Sequence, residues 1–313
     1  MAGEKTSIVL FCATSRGLAV LEELAVLAPE CSLTVLSFRE EPCEPAFLDS
    51  IRSRAGSLGA GFLEAKKTGS PELAAFWDSR PADLMLAVNW RYMIPAGVYR
   101  RASKGTFVFH DSLLPAYRGF SPTVWAIAND ERRCGATLFE IAEEYDRGPV
   151  VDQEAVVIGP DDTITDLFPR VTEAYLAILR RTLAALLAGS AGRKVQDESA
   201  ATYVARRTAE DDRLDWTLGA ARVYALIRAV TFPYSGAHCL LEGRKLRVWG
   251  GRRLPGAVPS SGAVPGQVVE VRPGEGSVVC AKDGLILVTE VQAEVAPRVR
   301  ADLVLDRPGL ILS

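Results

Sequence analysis

The stretch GTFVFHDSLLPAYRG, residues 105–119, places one of the chain's two histidines at the end of an apolar run. The pattern before it predicts a strand over residues 106–110, on which Val108 and His110 share one face. An imidazole titrates near neutral pH, so at a strand end it can take up and release a proton. From these residues alone, the more ordinary interpretation is that His110 holds the loop by bonding to a backbone carbonyl, and general acid–base catalysis is the functional alternative.

A carboxylate that can work with this histidine is Asp146, in the stretch YDRGPV at residues 145–150. It lies on a loop between two predicted strands, from which it can reach the crevice that His110 faces. The alternative is a solvated turn aspartate before Gly148. The residues alone leave both interpretations of Asp146 open.

Two other segments suit an anionic ligand. Ser15 and Arg16 lie in the first predicted strand–helix turn, where a helix N-terminus favours anions. Arg118 can meet a phosphate or a carboxylate, since a guanidinium pairs with either, and as a plain surface arginine it would be equally ordinary. The first turn lacks the GxGxxG fingerprint, so a nicotinamide dinucleotide is not predicted.

The first half of the chain alternates strand and helix patterns that would position these residues. Apolar runs predict strands at 7–13, 33–38, 62–65, 84–88 and 106–110, with helices at 17–27, 44–55, 72–79 and 122–129 between them or after them. This alternation predicts an α/β fold: a Rossmann-like, mostly parallel sheet with helices on both faces. Ligands of such sheets bind outside the carboxyl ends of the strands, and His110 lies at one of them.

The later elements predict a second domain. Strands at 135–142 and 149–158 precede a helix over Thr163–Leu187, which Pro169 should kink or start later. The small polar residues that follow predict a first domain over 1–190, a linker over 191–200 and a second domain over 201–313. A helix at 217–230 and five short strands predict that the second domain is a small OB-like β-barrel. These strands are expected at 235–241, 245–249, 267–272, 277–281 and 285–292.

Composition bounds the class of protein. A net charge of −3 over 313 residues argues against a generally basic nucleic-acid binder. No apolar run reaches the roughly 20 residues that span a bilayer, and the N-terminus does not read as a signal peptide. The cysteines lack metal-ligand spacing, so we expect free thiols, no metal site and a cytoplasmic location. They are Cys12, Cys31, Cys43, Cys134, Cys239 and Cys280.

Three stretches, HDSLLPAYRG (110–119), SPTVWAI (121–127) and YDRGPV (145–150), closely resemble the signature of the folate-dependent formyltransferases. That family includes methionyl-tRNA formyltransferase and the sugar N-formyltransferases. Residues 201–216, 227–237 and 243–251 resemble the C-terminal domain of its longer members. The resemblance implies transfer of a formyl group from 10-formyltetrahydrofolate to an amine. It gives His110 the acid–base role, with Asp146 as its partner.

The family's signature has an asparagine, which donates to the formyl oxygen, where this chain has Val108. Losing one such donor typically costs about 10²–10³ in rate. Asn89, at the end of the neighbouring predicted strand, can replace it, or a backbone N–H or a water can. Alternatively, the pocket serves altered chemistry (another one-carbon or acyl transfer, or hydrolysis) or only binds a small molecule.

The resemblance also implies where ligands bind. The folate would lie against Trp90, Arg91, Tyr92, Met93, Ile94, Val108, Ile141 and Asp146, and the acceptor against Ser15, Arg16, Ser112, Tyr117 and Arg118. Members that act on tRNA carry a basic loop where residues 37–47 here are acidic, so nucleic acid is not expected. The expected acceptor is the amine of an amino sugar in a sugar nucleotide, or of an amino acid or natural product. An exposed strand edge in the second half is compatible with a homodimer.

Overall fold

The computed structural model describes residues 5–41, 44–80 and 82–313. The chain forms two compact units that interleave along the sequence. The first contains the residues up to Gly119, Gly135–Val156 and Pro169–Tyr203; the second contains Phe120–Cys134, Val157–Phe168 and Val204–Ser313. The sequence predicted a single boundary with a linker at 191–200, whereas in the structure residues 191–200 belong to the first unit.

The elements up to residue 204 follow the predicted alternation closely. The strands are β1 Ser7–Cys12, β2 Ser32–Ser37, β3 Gly61–Glu64, β4 Leu84–Val88, β5 Thr106–His110, β6 Arg118–Gly119, β7 Arg133–Glu140, β8 Val150–Val157 and β9 Tyr203–Val204. The helices are α1 Thr14–Leu27, α2 Leu48–Ser57, α3 Ala74–Ser79, α4 Ala96–Tyr99, α5 Pro122–Ala128 and α6 Ile164–Leu187.

The main sheet has the strand order β3-β2-β1-β4-β5-β7-β8. Strands β1 to β5 pair in parallel, whereas β5 and β7 are antiparallel, so the predicted mostly parallel sheet is confirmed. Val88 of β4 pairs with Phe109 of β5. Asn89 and His110 therefore both lie at the carboxyl edge of the sheet, on neighbouring strands.

Helix α6 differs from its prediction in one respect. It begins at Ile164 and continues through Pro169, so the proline does not move the start of the helix. Pro169 is the sixth residue of the helix, so it removes the one N–H that would otherwise donate to the carbonyl of Thr165, and the helix continues past that missing bond. The apolar face that the sequence indicated is buried along the whole helix, from Leu167 through Tyr175 to Leu186.

The second unit is built on an antiparallel sheet that closes on itself. Its elements are helix α7 Ala220–Ala229 and strands β10 Ala237–Leu241, β11 Arg244–Leu254, β12 Val268–Arg272, β13 Gly276–Cys280, β14 Leu285–Ala293 and β15 Val299–Arg300. The strand order is β10-β11-β14-β13-β12, with β15 on β14. Leu312 bridges to Leu241 at the end of β10, and Ile311 bridges to Gln267 just before β12. The edge strands β10 and β12 are thus joined through residues 311–312, which closes the sheet into the predicted barrel. The homodimer stays a prediction.

Helix α5 explains why the units interleave. It packs against α7, which brings Phe120–Cys134 into the second unit although these residues follow the histidine segment in sequence. The apolar residues Val124 and Ile127 of α5 are buried, as are Val223 and Ile227 of α7.

The described cysteines carry no disulfide, and four of them are strand residues of the core: Cys12, Cys134, Cys239 and Cys280. Burial raises the pKa of the Cys12 thiol, which favours the neutral form. Cys43 lies outside the described residues. Within the described part of the chain, no helix is long and apolar enough to cross a membrane.

Closing the barrel depends on the backbone at Gly266. Its φ is +85°, and a Cβ there would lie 2.0 Å from the carbonyl oxygen of Leu312. We expect Gly266→Ala to lower the free energy of unfolding by about 1–2 kcal/mol for the left-handed backbone and by about 1–3 kcal/mol more for the clash. Gly262→Ala is the matched control, because its φ is +89° with no atom within 4 Å. Equal losses for the two variants in urea unfolding would contradict this account.

Candidate active site

His110 makes both kinds of contact that its sequence context suggested. It ends strand β5 with only 9% of its surface exposed. Its Nε2 lies 3.0 Å from the carbonyl oxygen of Tyr117. A carbonyl only accepts, so Nε2 carries a proton and donates it. The other ring nitrogen, Nδ1, faces Oδ2 of Asp146 at 3.9 Å. The loop carbonyl thus fixes the ring, and Nδ1 is left available for proton exchange beside a carboxylate.

Two backbone features fix Asp146: a hydrogen bond to its carboxylate and a close approach of the chain at Gly148. It has a φ of +55°, and its Oδ2 accepts a hydrogen bond of 2.8 Å from the backbone N–H of Gly119. Two residues later, a Cβ on Gly148 would lie 1.6 Å from the carbonyl oxygen of Glu140. The Asp-x-Gly spacing therefore has a steric reason: only glycine lets the chain return past β7 and leave Asp146 beside His110.

Thr137 organises the turn that follows the histidine. Its hydroxyl donates to the carbonyl of Ser112 at 2.6 Å and accepts from the backbone N–H of Leu114 at 3.1 Å. The buried Ser112 hydroxyl donates to the carbonyl of Ala116 at 2.6 Å. The sequence predicted that Ser112 contacts an acceptor. In the structure its hydroxyl instead forms a hydrogen bond within the turn and stabilises the turn.

Arg118 is among the most deeply buried side chains, with 1% of its surface exposed. All five of its guanidinium N–H groups are used inside the first unit. Nε and Nη2 donate to Oε1 of Gln196, Nη1 and Nη2 to the carboxylate of Glu198, and Nη1 also to the hydroxyl of Tyr203. The expected contact of Arg118 with an acceptor phosphate is contradicted, because no donor remains for it.

Arg16 is also buried in an internal cluster. It forms an ion pair with Asp111, whose carboxylate accepts a further hydrogen bond from Tyr175. Burial alone would raise the pKa of Asp111, but the charge of Arg16 and the bond from Tyr175 hold that pKa below its usual value. Like Arg118, Arg16 serves the fold rather than facing an acceptor. Ser15, at the first turn of α1, is exposed, and Tyr117 is half-buried.

Four of the residues predicted to contact a cofactor meet at one apolar cluster. Ile94 belongs to its buried part, and Trp90, Val108 and Ile141 pack against it. Val108 pairs with Ala87 on one side and with Phe139 on the other. The residues that Val108 contacts are apolar, so an apolar side chain packs well at position 108.

The other residues of the segment after β4 lie around an aromatic group. The rings of Trp90 and Tyr92 both meet that of Phe38 edge-on, with centroids 5.3 and 4.8 Å apart. Arg91 donates to both carboxylate oxygens of Glu44, at 2.7 and 2.9 Å. Met93 is 56% exposed, so the segment presents both packed aromatic and open apolar surface.

Two buried polar atoms in this segment have no hydrogen-bond partner among the described residues: Oδ1 of Asn89 and Nε1 of Trp90. Asn89 also departs from strand geometry, with a φ of +51°. Leaving such groups unpaired costs about 1–3 kcal/mol each. One acceptor and one donor beside apolar walls fit a flat heterocycle that can form hydrogen bonds.

Sequence reasoning missed Gln196 and Glu198, which it placed in a linker. Gln196 is buried, and its Nε2 donates to the carbonyl oxygens of Asp146 and Gly148 at 2.8 and 2.7 Å. The surrounding stretch RKVQDESAATY has no helical or strand periodicity, so no local signal indicated that these polar residues are used inside the fold.

Comparison with known families agrees with this geometry. The family described as "Formyl transferase" matches residues 26–183, and "Formyl transferase, C-terminal domain" matches residues 206–307. The chain belongs to the formyl transferase family.

Solved structures of low sequence identity share the fold. HypX from Aquifex aeolicus, solved in complex with tetrahydrofolic acid, has 19% identity and a TM-score of 0.65 over 96% of this chain, which spans 46% of that protein. WlaRD, a sugar 3N-formyl transferase solved in the presence of dTDP and 5-N-formyl-THF, has 15% identity and a TM-score of 0.70 over 94% of this chain and 99% of its own. The N-formyltransferase from Helicobacter canadensis, in complex with folinic acid and dTDP-3-aminofucose, has 14% identity and a TM-score of 0.70, with 93% and 100% covered.

The buried Arg16–Asp111 pair gives a prediction for stability. Asp111→Asn should lower the free energy of unfolding by about 3–5 kcal/mol at pH 7, because it removes the carboxylate from a buried guanidinium. The folded-state pKa of Asp111 is lowered, so its contribution is complete above the unfolded-state value of about 3.9 and is lost as the pH falls below it.

The difference between wild type and Asp111→Asn in urea unfolding should therefore be largest near neutral pH and shrink below about pH 4. Asp78→Asn is the control, because Asp78 pairs with Arg101 at an exposed site and should contribute about 0–1 kcal/mol. A gap that stays constant down to pH 3 would contradict the assignment.

Proposed function

We propose that this protein transfers a formyl group from 10-formyltetrahydrofolate to the amine of a small molecule. The observation that carries the proposal is the pairing of His110 with Asp146 at the carboxyl edge of the sheet, where Asn89 also lies. Family membership supports formyl transfer as the reaction class.

A folate is supported by the apolar cluster and by the two orphaned polar atoms next to it. Trp90, Val108 and Ile141 would form the walls of the pterin site, and Oδ1 of Asn89 and Nε1 of Trp90 would gain the partners that they lack. Three structurally similar proteins are described with folates bound, which agrees with this assignment. When bound, 10-formyltetrahydrofolate supplies the formyl carbon that the amine attacks.

Proton movement falls to His110. The amine must lose a proton as its nitrogen bonds to the formyl carbon, and Nδ1 of His110 is the nitrogen available to accept it, because Nε2 is committed to Tyr117. Oδ2 of Asp146 lies 3.9 Å from Nδ1, so a charge-assisted hydrogen bond from the protonated Nδ1 requires the two groups to move closer when the substrates bind. The same proton then passes to the folate nitrogen that leaves, so His110 ends the cycle as it began.

Oxyanion stabilisation falls to Asn89, because Val108 has no donor at the position where the family has an asparagine amide. Asn89 follows Val88, which pairs with the residue before His110. Its side-chain amide is the donor that this edge offers beside the histidine, and backbone N–H groups are the alternative source.

An amino sugar within a sugar nucleotide is the acceptor that we propose first. WlaRD and the Helicobacter canadensis enzyme are described with dTDP or a dTDP-amino sugar, and this chain matches nearly their full length. An amino acid or natural-product amine is the next class. Arg16 and Arg118 are both committed elsewhere, so the acceptor's phosphates must be met by other groups.

The first experiment is calorimetry with folinic acid, a stable analogue of the donor. Micromolar or tighter binding is expected. Turnover is then measured with 10-formyltetrahydrofolate against a panel of dTDP-amino sugars and amino acid amines. Absence of folinic acid binding at millimolar ligand would overturn the folate assignment. Binding with no formyl transfer to any amine of the panel would favour altered chemistry or a binding protein.

His110→Ala should lower kcat by about 10²–10⁴ while folinic acid binding is retained, because the proton acceptor is removed and the apolar cluster is not. His238→Ala is the matched control, since His238 lies on β10 of the second unit. Similar losses in both variants, or loss of folinic acid binding in His110→Ala, would contradict the assigned role.

Asn89→Leu should lower kcat by about 10²–10³, because it removes the side-chain donor. Adding Val108→Asn to that variant should restore part of the rate by returning an amide to the strand. Full activity in Asn89→Leu would instead assign the donor to the backbone or to a water.

A further inference from the structure

We propose that Gln196 is a positioning residue that sets the geometry of Asp146 and His110, with Arg118 fixing its orientation. This inference rests on the proposed function for its consequences in turnover. Gln196 touches neither ring nor carboxylate of the acid–base pair; it acts through the backbone of the loop that carries Asp146.

The loop is held at two of its carbonyl groups by one side-chain amide. Nε2 of Gln196 donates to the carbonyl oxygens of Asp146 at 2.8 Å and Gly148 at 2.7 Å. Both N–H groups of the amide are thereby hydrogen-bonded, one to the residue before Arg147 and one to the residue after it. A loop residue with φ at +55°, like Asp146, keeps that conformation only where neighbouring contacts impose it.

Arg118 decides which way the amide of Gln196 faces. Oε1 of Gln196 accepts from Nε of Arg118 at 3.2 Å and from Nη2 at 2.8 Å. A guanidinium only donates, so the oxygen must point to Arg118 and the nitrogen to the loop. Both side chains are more than nine-tenths buried, so water does not compete for these bonds.

Glu198 ties the same arginine to the middle of the loop. Its carboxylate accepts from Arg118 at 2.7 and 2.9 Å and from Nη2 of Arg147 at 2.7 Å. These two arginines lower the pKa of Glu198 to about 2, so it stays ionised through the neutral range. Asp146, Arg147 and Gly148 are therefore each held by Gln196 or Glu198.

The histidine side of the pair is fixed by the same stretch of chain. Thr202 accepts at its hydroxyl from the backbone N–H of Tyr117 at 2.8 Å and at its carbonyl from that of Arg118 at 2.9 Å. Tyr117 is the residue whose carbonyl binds Nε2 of His110. Residues 196–202 thus clamp both the carbonyl that orients the imidazole and the loop that carries the carboxylate.

The test uses the fact that His110 and His238 are the chain's two histidines. In protein labelled with ¹⁵N-histidine, the ring signals of His110 report its tautomer, and those of His238 serve as an internal standard; His238→Ala assigns them. Wild-type protein should show His110 with its proton on Nε2. Gln196→Glu keeps the acceptor for Arg118 but turns an oxygen toward the two loop carbonyls, so it should shift the His110 signals and leave those of His238 unchanged.

In turnover, Gln196→Glu should lower kcat by about 10–100-fold with a much smaller change in KM for the donor, as expected for a displaced catalytic pair. Gln196→Met is the second variant, in case the charged one folds poorly. Thr182→Val is the control, because it removes a buried hydrogen bond within helix α6 of the same unit. Unchanged His110 signals in both folded Gln196 variants would overturn the proposal.

The two proposals fail separately. If wild-type protein shows no formyl transfer, the proposed function fails, but the His110 signals still decide whether Gln196 positions the pair. If formyl transfer is found and Gln196→Glu matches Thr182→Val in kcat and in spectrum, the function stands and the positioning role is wrong.

Discussion

The burial of one guanidinium is the constraint on which the site depends. Arg118 carries five N–H donors into the interior of the first unit, and a buried charge is tolerated only if it is paired and fully hydrogen-bonded. Gln196, Glu198 and Tyr203 satisfy all five donors. Because the same Gln196 also holds the loop of Asp146, the requirement to satisfy Arg118 becomes a requirement on the position of Asp146 beside His110.

A second buried cation serves the other side of His110. Arg16 from helix α1 pairs with Asp111, the residue directly after the histidine, and Tyr175 from helix α6 completes the cluster. Successive residues of an extended chain point to opposite faces, so Asp111 anchors the end of β5 while His110 remains directed to Asp146. The position of the imidazole is therefore set by polar contacts on both sides of the strand end.

The replacement of an amide by Val108 has a local explanation in packing and a consequence for chemistry. Val108 contributes to the apolar cluster with Trp90, Ile94 and Ile141, which suits a pterin wall. With valine at position 108, the sheet edge lacks the side-chain donor that an asparagine would provide. Asn89, which follows the neighbouring strand, has an amide there, and the buried oxygen of this amide has no partner among the described residues. In the proposed function, the donor is therefore Asn89, directly after β4, and not residue 108 in the middle of β5.

The sequence by itself determined the alternation of strands and helices and the strand end where His110 lies, because periodicity is a short-range pattern. The order of the strands in the sheet depends on pairing between distant segments, which only the structure shows. The sequence also indicated the barrel, although not the closing role of Ile311 and Leu312, which pair with segments far away in the chain. Only the tertiary structure decided that Arg16 and Arg118 are internal and that Gln196 supports Asp146. A surface arginine and a buried one look alike in sequence, since the difference is made by partners 78 to 95 residues distant.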